Sequence, residues 1–372
     1  MRKILYLPVM RNFRNIFFAC FAFFLAGCSQ KADFITMLVG TYSTSESNGI
    51  YACRFDQENC RTDSSFVERA ELPEASYLAV NQATGTIYAV SELDSAKSFV
   101  SALSFDKENL SFKNMGKAAT EGSPCYVSTN GAIVVTANYG GGSISSFRIG
   151  EEGTLYDTIP HQHILGHIGG PDFSRQEEPH VHCAIFSPDG KYLLASDFSA
   201  DAIMSFKVEK DSLIEYATTK LNPDYGPRHI IFKGSDRAYV IGELSGDITV
   251  CEYSDGILTP IQVIDNDPAQ ARGSADIRIT PDGRFLYASN RLKNDGVGIY
   301  RIEPDGKLSS AGYQPTGIHP RNICITPNGK FLLVACRDSN LIETYEINQK
   351  TGKLTKKGRG IHVPRPVCIV FC

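Results

Sequence analysis

Apolar residues along this chain fall in the pattern of short strands rather than helices. From about residue 36 onward they alternate with polar residues or come in runs of about five, and no stretch sustains a 3.6-residue period. One composite unit recurs: a short loop, an apolar strand, a Pro-x-Gly-like turn, a second apolar strand and a polar end. It reads SYLAVNQATGTIYAVSEL from Ser76, CYVSTNGAIVVTANYGG from Cys125 and HCAIFSPDGKYLLASDFS from His182. It returns as RHIIFKGSDRAYVIGELS from Arg228, ADIRITPDGRFLYASNRL from Ala275 and RNICITPNGKFLLVACRD from Arg321. Pro188-Asp189-Gly190, Pro281-Asp282-Gly283 and Pro327-Asn328-Gly329 supply the fixed φ of proline and the positive φ of glycine that such turns require.

The units from His182 and Arg228, and those from Ala275 and Arg321, are each about 46 residues apart. Two further alternating strands fit in each interval, such as Ile248–Tyr253 and Val297–Arg301. Four short strands at this period predict a blade of a β-propeller. The two ends complete the count. RPVCIVFC from Arg365 matches only the first strand of the unit, and Thr36–Ser43 matches only the second. Six whole units and two complementary fragments predict an all-β, seven-bladed propeller over residues 35–372, its last blade closed by N- and C-terminal strands so that no edge stays unpaired.

The first residues differ in kind. Arg2, Lys3, Arg11 and Arg14 flank the apolar run Ile16–Phe24, followed by Leu25-Ala26-Gly27-Cys28 and polar Ser29-Gln30-Lys31. A basic flank, a short apolar core and small residues predict a signal peptide over residues 1–27, with 28–34 a short linker. The run is short for a membrane span, although an uncleaved signal anchor is the other reading. Leu25–Cys28 resembles a bacterial lipoprotein box, which implies lipidation of Cys28 and a membrane-anchored protein on the exported side. Without that signal the expectation reverts to the cytoplasm. Removal of residues 1–27 would take the formal net charge from -4 to about -8.

That charge balance offers no basic field, so nucleic acid is not an expected partner. Eleven cysteines in an exported chain raise the question of disulfides. Most lie within apolar strand patterns and read as small buried hydrophobes. Cys53 and Cys60, flanking a short polar turn, form the one pair that suggests a bridge. No zinc-type Cys-x-x-Cys occurs. His161, His163, His167, His180 and His182 raise a metal alternative, but their Gly-rich setting reads as a loop, and neither metal nor cofactor is expected. Gly140-Gly141-Gly142 precedes no helix, so it reads as a place of close backbone approach rather than a phosphate cradle.

In a propeller the inner strands converge on one axis, and equivalent positions form rings. The residues just before each first apolar run are Ser76, Cys125, His182, Arg228, Ala275, Arg321 and Arg365. Those ending each second strand are Tyr42, Glu92, Tyr139, Phe198, Glu243, Arg291 and Arg337. Five arginines, two glutamates and one histidine are thereby expected at one mouth of the channel. Like charges gathered there repel, which points to an anionic small-molecule partner, or to carboxylates, that offset them.

Several strings resemble the seven-bladed propeller lactonases, which include 6-phosphogluconolactonases and fungal carboxymuconate lactonising enzymes. They are Val39-Gly-Thr-Tyr42, Asn138–Gly142, Arg175–His182, Gly226-Pro-Arg-His229, Glu243-Leu-Ser245 and Ser274–Gly283. The resemblance spans residues 35–372, and its Gly-Pro-Arg-His and Pro-His-x-His elements are the discriminating ones. It implies an active group at His182, Arg228, Glu243 and Arg291, and a hydrolase of sugar lactones. Such chemistry asks for a general base, here Glu243 or neutral His182, and for Arg228 and Arg291 at the developing oxyanion. Arg321, Arg337 and Arg365 are expected to hold a phosphate or carboxylate, with Glu92, His180 and His229 beside them. No Gly-x-Ser-x-Gly is present, which favours direct attack by water. Two alternatives stand beside this reading, a muconate-type lactonising cycloisomerase and a non-catalytic propeller lipoprotein that binds a ligand or partner at the same mouth.

Overall fold

The computed structural model describes residue 1 and residues 32–63, 67–94, 97–164, 170–172, 174–210 and 212–372. Residues Ala32–Cys372 form one compact unit. The signal reading of residues 1–27, Cys28 and His167 fall outside the described residues.

Seven antiparallel sheets make up the unit. Blades 1 to 6 begin with inner strands Leu78–Val80, Pro124–Thr129, Val181–Phe186, Pro227–Lys233, Ser274–Ile279 and Pro320–Ile325, and each continues outward through three more strands. Blade 7 takes its inner strand, Pro366–Phe371, from the C-terminal end and pairs it with Phe34–Thr41, then Gly49–Asp56. Inner strands of neighbouring blades touch in a closed circuit, blade 7 against blade 1 included. The fold is an all-β, seven-bladed propeller, with both chain ends building the closing blade as the repeat count predicts.

Apolar faces of adjacent sheets bury one another, and the second strands lie deepest: Ile133–Asn138, Phe285–Asn290 and Phe331–Cys336 are buried along their whole length. Cysteines take part in this packing as small apolar side chains. All nine in the described unit are free thiols, Cys53 and Cys60 among them, so the suggested bridge does not form. Cys53 is committed to the apolar contact between blades 6 and 7, with Met37, Val39 and Phe331, and Cys60 packs partly buried against the same cluster.

Blades are also clamped by tyrosines. The Tyr88, Tyr239 and Tyr287 hydroxyls donate to the carbonyls of Gly153, Gly306 and Gly352 at 2.9, 2.8 and 2.8 Å, each in a turn of the next blade. Gly352 shows why the turn residue is glycine: its φ is +73°, and a Cβ there would lie 2.5 Å from the Phe285 ring. Near the axis, Asp276 is fully buried. It accepts from His229 Nδ1 at 2.8 Å, Asn322 Nδ2 at 2.7 Å and the Ile323 amide at 3.0 Å, and pairs with Arg278 at 2.8 Å. Burial alone would raise its pKa, but Arg278 and the His229 bond hold it at about 2. One carboxylate thereby ties blades 4, 5 and 6, and Asn322 extends the tie to blade 7 through the Ile369 amide at 2.8 Å.

Tyr287→Phe leaves the Gly352 carbonyl without its donor. It is expected to lower unfolding free energy by about 1–2 kcal/mol with the fold unchanged, measurable as a shift in the denaturant midpoint.

A cationic mouth organised on Glu243

A seven-fold hydrogen bond fixes the mouth. The amides of Tyr42, Glu92, Tyr139, Phe198, Glu243, Arg291 and Arg337 donate at 2.8–3.2 Å to the carbonyls of Arg365, Glu74, Ser123, His180, Gly226, Gly273 and His319. The ring expected at the end of the second strands is therefore intact in all seven blades. Two residues beyond each accepting carbonyl comes the inner-strand ring, Ser76, Cys125, His182, Arg228, Ala275, Arg321 and Val367. In six blades the pairing shifts at this level, and the resulting bulge turns extra side chains toward the axis.

Arg365 does not occupy that inner ring. Val367 does, because blade 7 carries an apolar residue there, and the boundary of its apolar run falls two positions early. Arg365 shares the outer tier with His180 and His319. Its φ of +39° and that of His319, +60°, are left-handed. Glu74, Ser123 and Gly226, at the same position in other blades, share that conformation, so it belongs to a turn that recurs from blade to blade.

Glu243, on blade 4, receives three guanidinia. Oε2 accepts from Arg228 Nε at 2.9 Å and faces Arg291 Nη2 at 2.9 Å, and Oε1 accepts from Arg175 Nη2 at 2.7 Å. Burial would raise this carboxyl, but Arg291, Arg228 and Arg175 overcome it and hold it well below the usual carboxylate range. Glu243 is thus the anion on which the cations of the mouth converge. Burial, with Arg228 and Arg321 alongside, pushes Arg291 down to about 9 against the pull of Glu243. A guanidinium does not readily give up its proton, so Arg291 stays a cation and depends on the anion it faces.

His182 is almost wholly buried. Burial first, then Arg228 and His229, push it well below 6.5 although Glu243 pulls the other way. It is a neutral imidazole at physiological pH, with the Cys125 thiol 3.6 Å from Nδ1. His229 lies behind Arg228, its Nε2 3.4 Å from Arg228 Nη1 and its Nδ1 on Asp276. It supports Arg228 from within. A cavity of roughly one water molecule, lined in part by Ser76, Cys125, Arg228 and Arg321, lies on the axis here.

The rest of the mouth is assembled in pairs. Arg321 lies 3.7 Å from Glu92 and over the Tyr42 ring, whose hydroxyl donates to Glu92 at 2.8 Å. Arg337 grips Asp338 through Nε at 2.7 Å and Nη2 at 2.9 Å. His319 sits between Arg291 and Arg337, at 3.4 and 3.2 Å. Arg365 stacks on Tyr42 with its guanidinium 5.3 Å from the ring centre. His180 lies flat on Tyr139, centroids 4.1 Å apart. The glycine run beside it is a close approach as expected: a Cβ on Gly141 would sit 1.9 Å from the Glu121 carbonyl oxygen. Of the other histidines considered for a metal, His161 and His163 fall on the outer strand of blade 2. Among the described residues no group of three or more potential ligands forms a metal centre.

Sequence reasoning quoted Arg175 only inside a motif and passed over His319. The signal for His319 was present: Ser123-Pro-Cys125, Gly226-Pro-Arg228, His319-Pro-Arg321 and Arg365-Pro-Val367 align on their prolines. That alignment places His319 and Arg365 together and Arg321 with Arg228. Arg175 has no repeat counterpart, since it arrives on the connection between blades 2 and 3.

The structure so far defines a propeller with a cation-rich, axial binding mouth. Residues 36–371 match the family described as "Lactonase, 7-bladed beta-propeller". The chain belongs to that family. It is 32% identical to a 6-phosphogluconolactonase of Bacillus subtilis over 345 residues, covering 90% of this chain and 97% of the relative. A Bacteroides uniformis structure described as a candidate 6-phosphogluconolactonase superposes with a TM-score of 0.88 at 46% identity, covering 91% of this chain and all of that one. The periplasmic gluconolactonase of Pseudomonas aeruginosa superposes with a TM-score of 0.85 at 26% identity, covering 91% and 99%.

Glu243→Gln would leave three guanidinia without their shared anion. The expected loss is about 3 kcal/mol of stability, partly restored by added phosphate, and thermal unfolding with and without phosphate reads both effects.

Proposed function

We propose that this protein is a lactonase that hydrolyses a sugar lactone, 6-phosphogluconolactone or a close anionic relative. The observation that carries the reading is the pairing of a neutral buried imidazole, His182, with a cluster of guanidinia whose charge exceeds that of its one shared carboxylate. His182 takes a proton from water as the water oxygen bonds to the lactone carbonyl carbon. Arg291 and Arg228 face the negative charge that builds on the carbonyl oxygen. The ring C–O bond then breaks, the proton passes from His182 to the leaving oxygen, and an open-chain hydroxy acid results. Glu243 stabilises the transient imidazolium and keeps its arginines in place. Arg321, Arg337 and Arg365, with Tyr42 and His319, face the remainder of the substrate. The relatives named 6-phosphogluconolactonase and gluconolactonase support the reaction class.

We further propose that Cys28 carries a lipid anchor outside the cytoplasm. Its Leu-Ala-Gly-Cys setting and the periplasmic relative support this placement. Export changes which lactone meets the enzyme, because a phosphorylated one is then not supplied by cytoplasmic metabolism alone. Palmitate labelling that disappears in Cys28→Ala is the expected result.

Residues 29–372 should hydrolyse 6-phosphogluconolactone or δ-gluconolactone faster than buffer, and His182→Gln should lower kcat by about 10²–10⁴. Since the imidazole is held well below 6.5 and acts unprotonated, kcat/KM should stay level through neutral pH and fall only as pH drops through that lowered value. No acceleration across a lactone panel overturns the reading, and ring formation from a carboxymuconate would replace it with lactonisation.

A further inference from the structure

Of the three guanidinia on Glu243, one differs from the others. Arg228 and Arg291 have side chains 2% and 6% exposed, and that of Arg175 is 37% exposed. The two buried ones are held a second time by backbone carbonyls: Arg228 by Ala275, and Arg291 by Gly273 at 2.8 Å. Arg175 contacts Glu243 Oε1, the Tyr139 hydroxyl and, at 5.4 Å, the face of Phe198. Oε1 carries this single guanidinium, whereas Oε2 carries two.

The backbone under Arg175 is fixed. The adjacent Gln176 is fully buried, and its Nε2 donates to the Phe198 carbonyl at 2.9 Å and to Asp201 Oδ1 at 2.8 Å. Asp172, close by, pairs with Arg272 at 2.6 Å. The segment that delivers these residues, 165–180, is the longest connection between blades. Arg175 is thus the most exposed of the three guanidinia, beside a glutamine that is anchored in the core.

We propose that Arg175 is a specificity-determining residue that leaves Glu243 for an anionic group on the substrate, and that only substrates carrying such a group release Glu243 Oε1. The inference rests on the lactonase reading of the same site. Docked on Glu243, Arg175 neutralises part of the charge that supports proton uptake at His182. Drawn to a phosphate or carboxylate, it becomes a substrate contact and leaves Oε1 open to a sugar hydroxyl or the attacking water. A neutral lactone offers Arg175 nothing in exchange, so it meets the site with Glu243 still covered. The anion then acts on turnover as well as on binding.

Three substrates separate the cases: δ-gluconolactone is neutral, 6-phosphogluconolactone carries a phosphate, and a glucarolactone carries a carboxylate. The wild-type chain and Arg175→Gln are compared on all three by kcat and KM. The ratio of kcat/KM for either anionic lactone to that for the neutral one should fall about tenfold or more in Arg175→Gln, whatever the change on the neutral lactone itself. The two anionic arms show whether phosphate, carboxylate or both recruit Arg175. An unchanged ratio, or an equal loss on all three substrates, overturns the proposal. Calorimetric binding of 6-phosphogluconate and gluconate to both chains needs no turnover. Loss of the preference for 6-phosphogluconate in Arg175→Gln supports the role of Arg175 even if no lactone is hydrolysed, and an undiminished preference counts against it.

Discussion

The mouth of this propeller depends on one carboxylate shared among three guanidinia. Without Glu243, the side chains of Arg175, Arg228 and Arg291 would not converge, since like charges in a partly desolvated space repel by several kcal/mol. With it, the positive charge is concentrated but not cancelled, and the surplus is directed at whatever enters the mouth. The proton chemistry follows from the same crowding, because burial first, then Arg228 and His229, hold His182 below its usual range although Glu243 pulls the other way. Glu243 is thereby the organiser of the site.

The architecture beneath makes this crowding affordable. The buried tie of Asp276 to His229, Arg278 and Asn322 links four blades below the mouth, and His229 in turn faces Arg228. The guanidinium at the centre is therefore braced from below through a neutral imidazole rather than through another charge. Tyrosine clamps between blades hold the periphery by neutral hydrogen bonds.

Most of the fold was legible because every blade repeats the same alternation, and the unmatched fragments at Thr36 and Arg365 identified the closing blade. The second-strand ring was legible for the same reason, since Glu243, Arg291 and Arg337 each end an apolar run. The inner ring was readable in six of the seven blades. In blade 7 it is Val367, which merges with the strand behind it, and the alignment slipped to Arg365. The three-way grip on Glu243 was not legible. Arg175 lies outside the repeat, and no periodicity connects residue 175 to residue 243.

The closing of blade 7 has a bearing on how the protein reaches its folded state. Its inner strand, Pro366–Phe371, emerges from the ribosome after every other part of the propeller, and its partner Phe34–Thr41 emerges first. Until that late strand arrives, the ring has an open seam at both Phe34–Thr41 and blade 6, and the arginine tier ending at Arg365 is incomplete. Synthesis alone thus enforces a delay between chain elongation and ring closure.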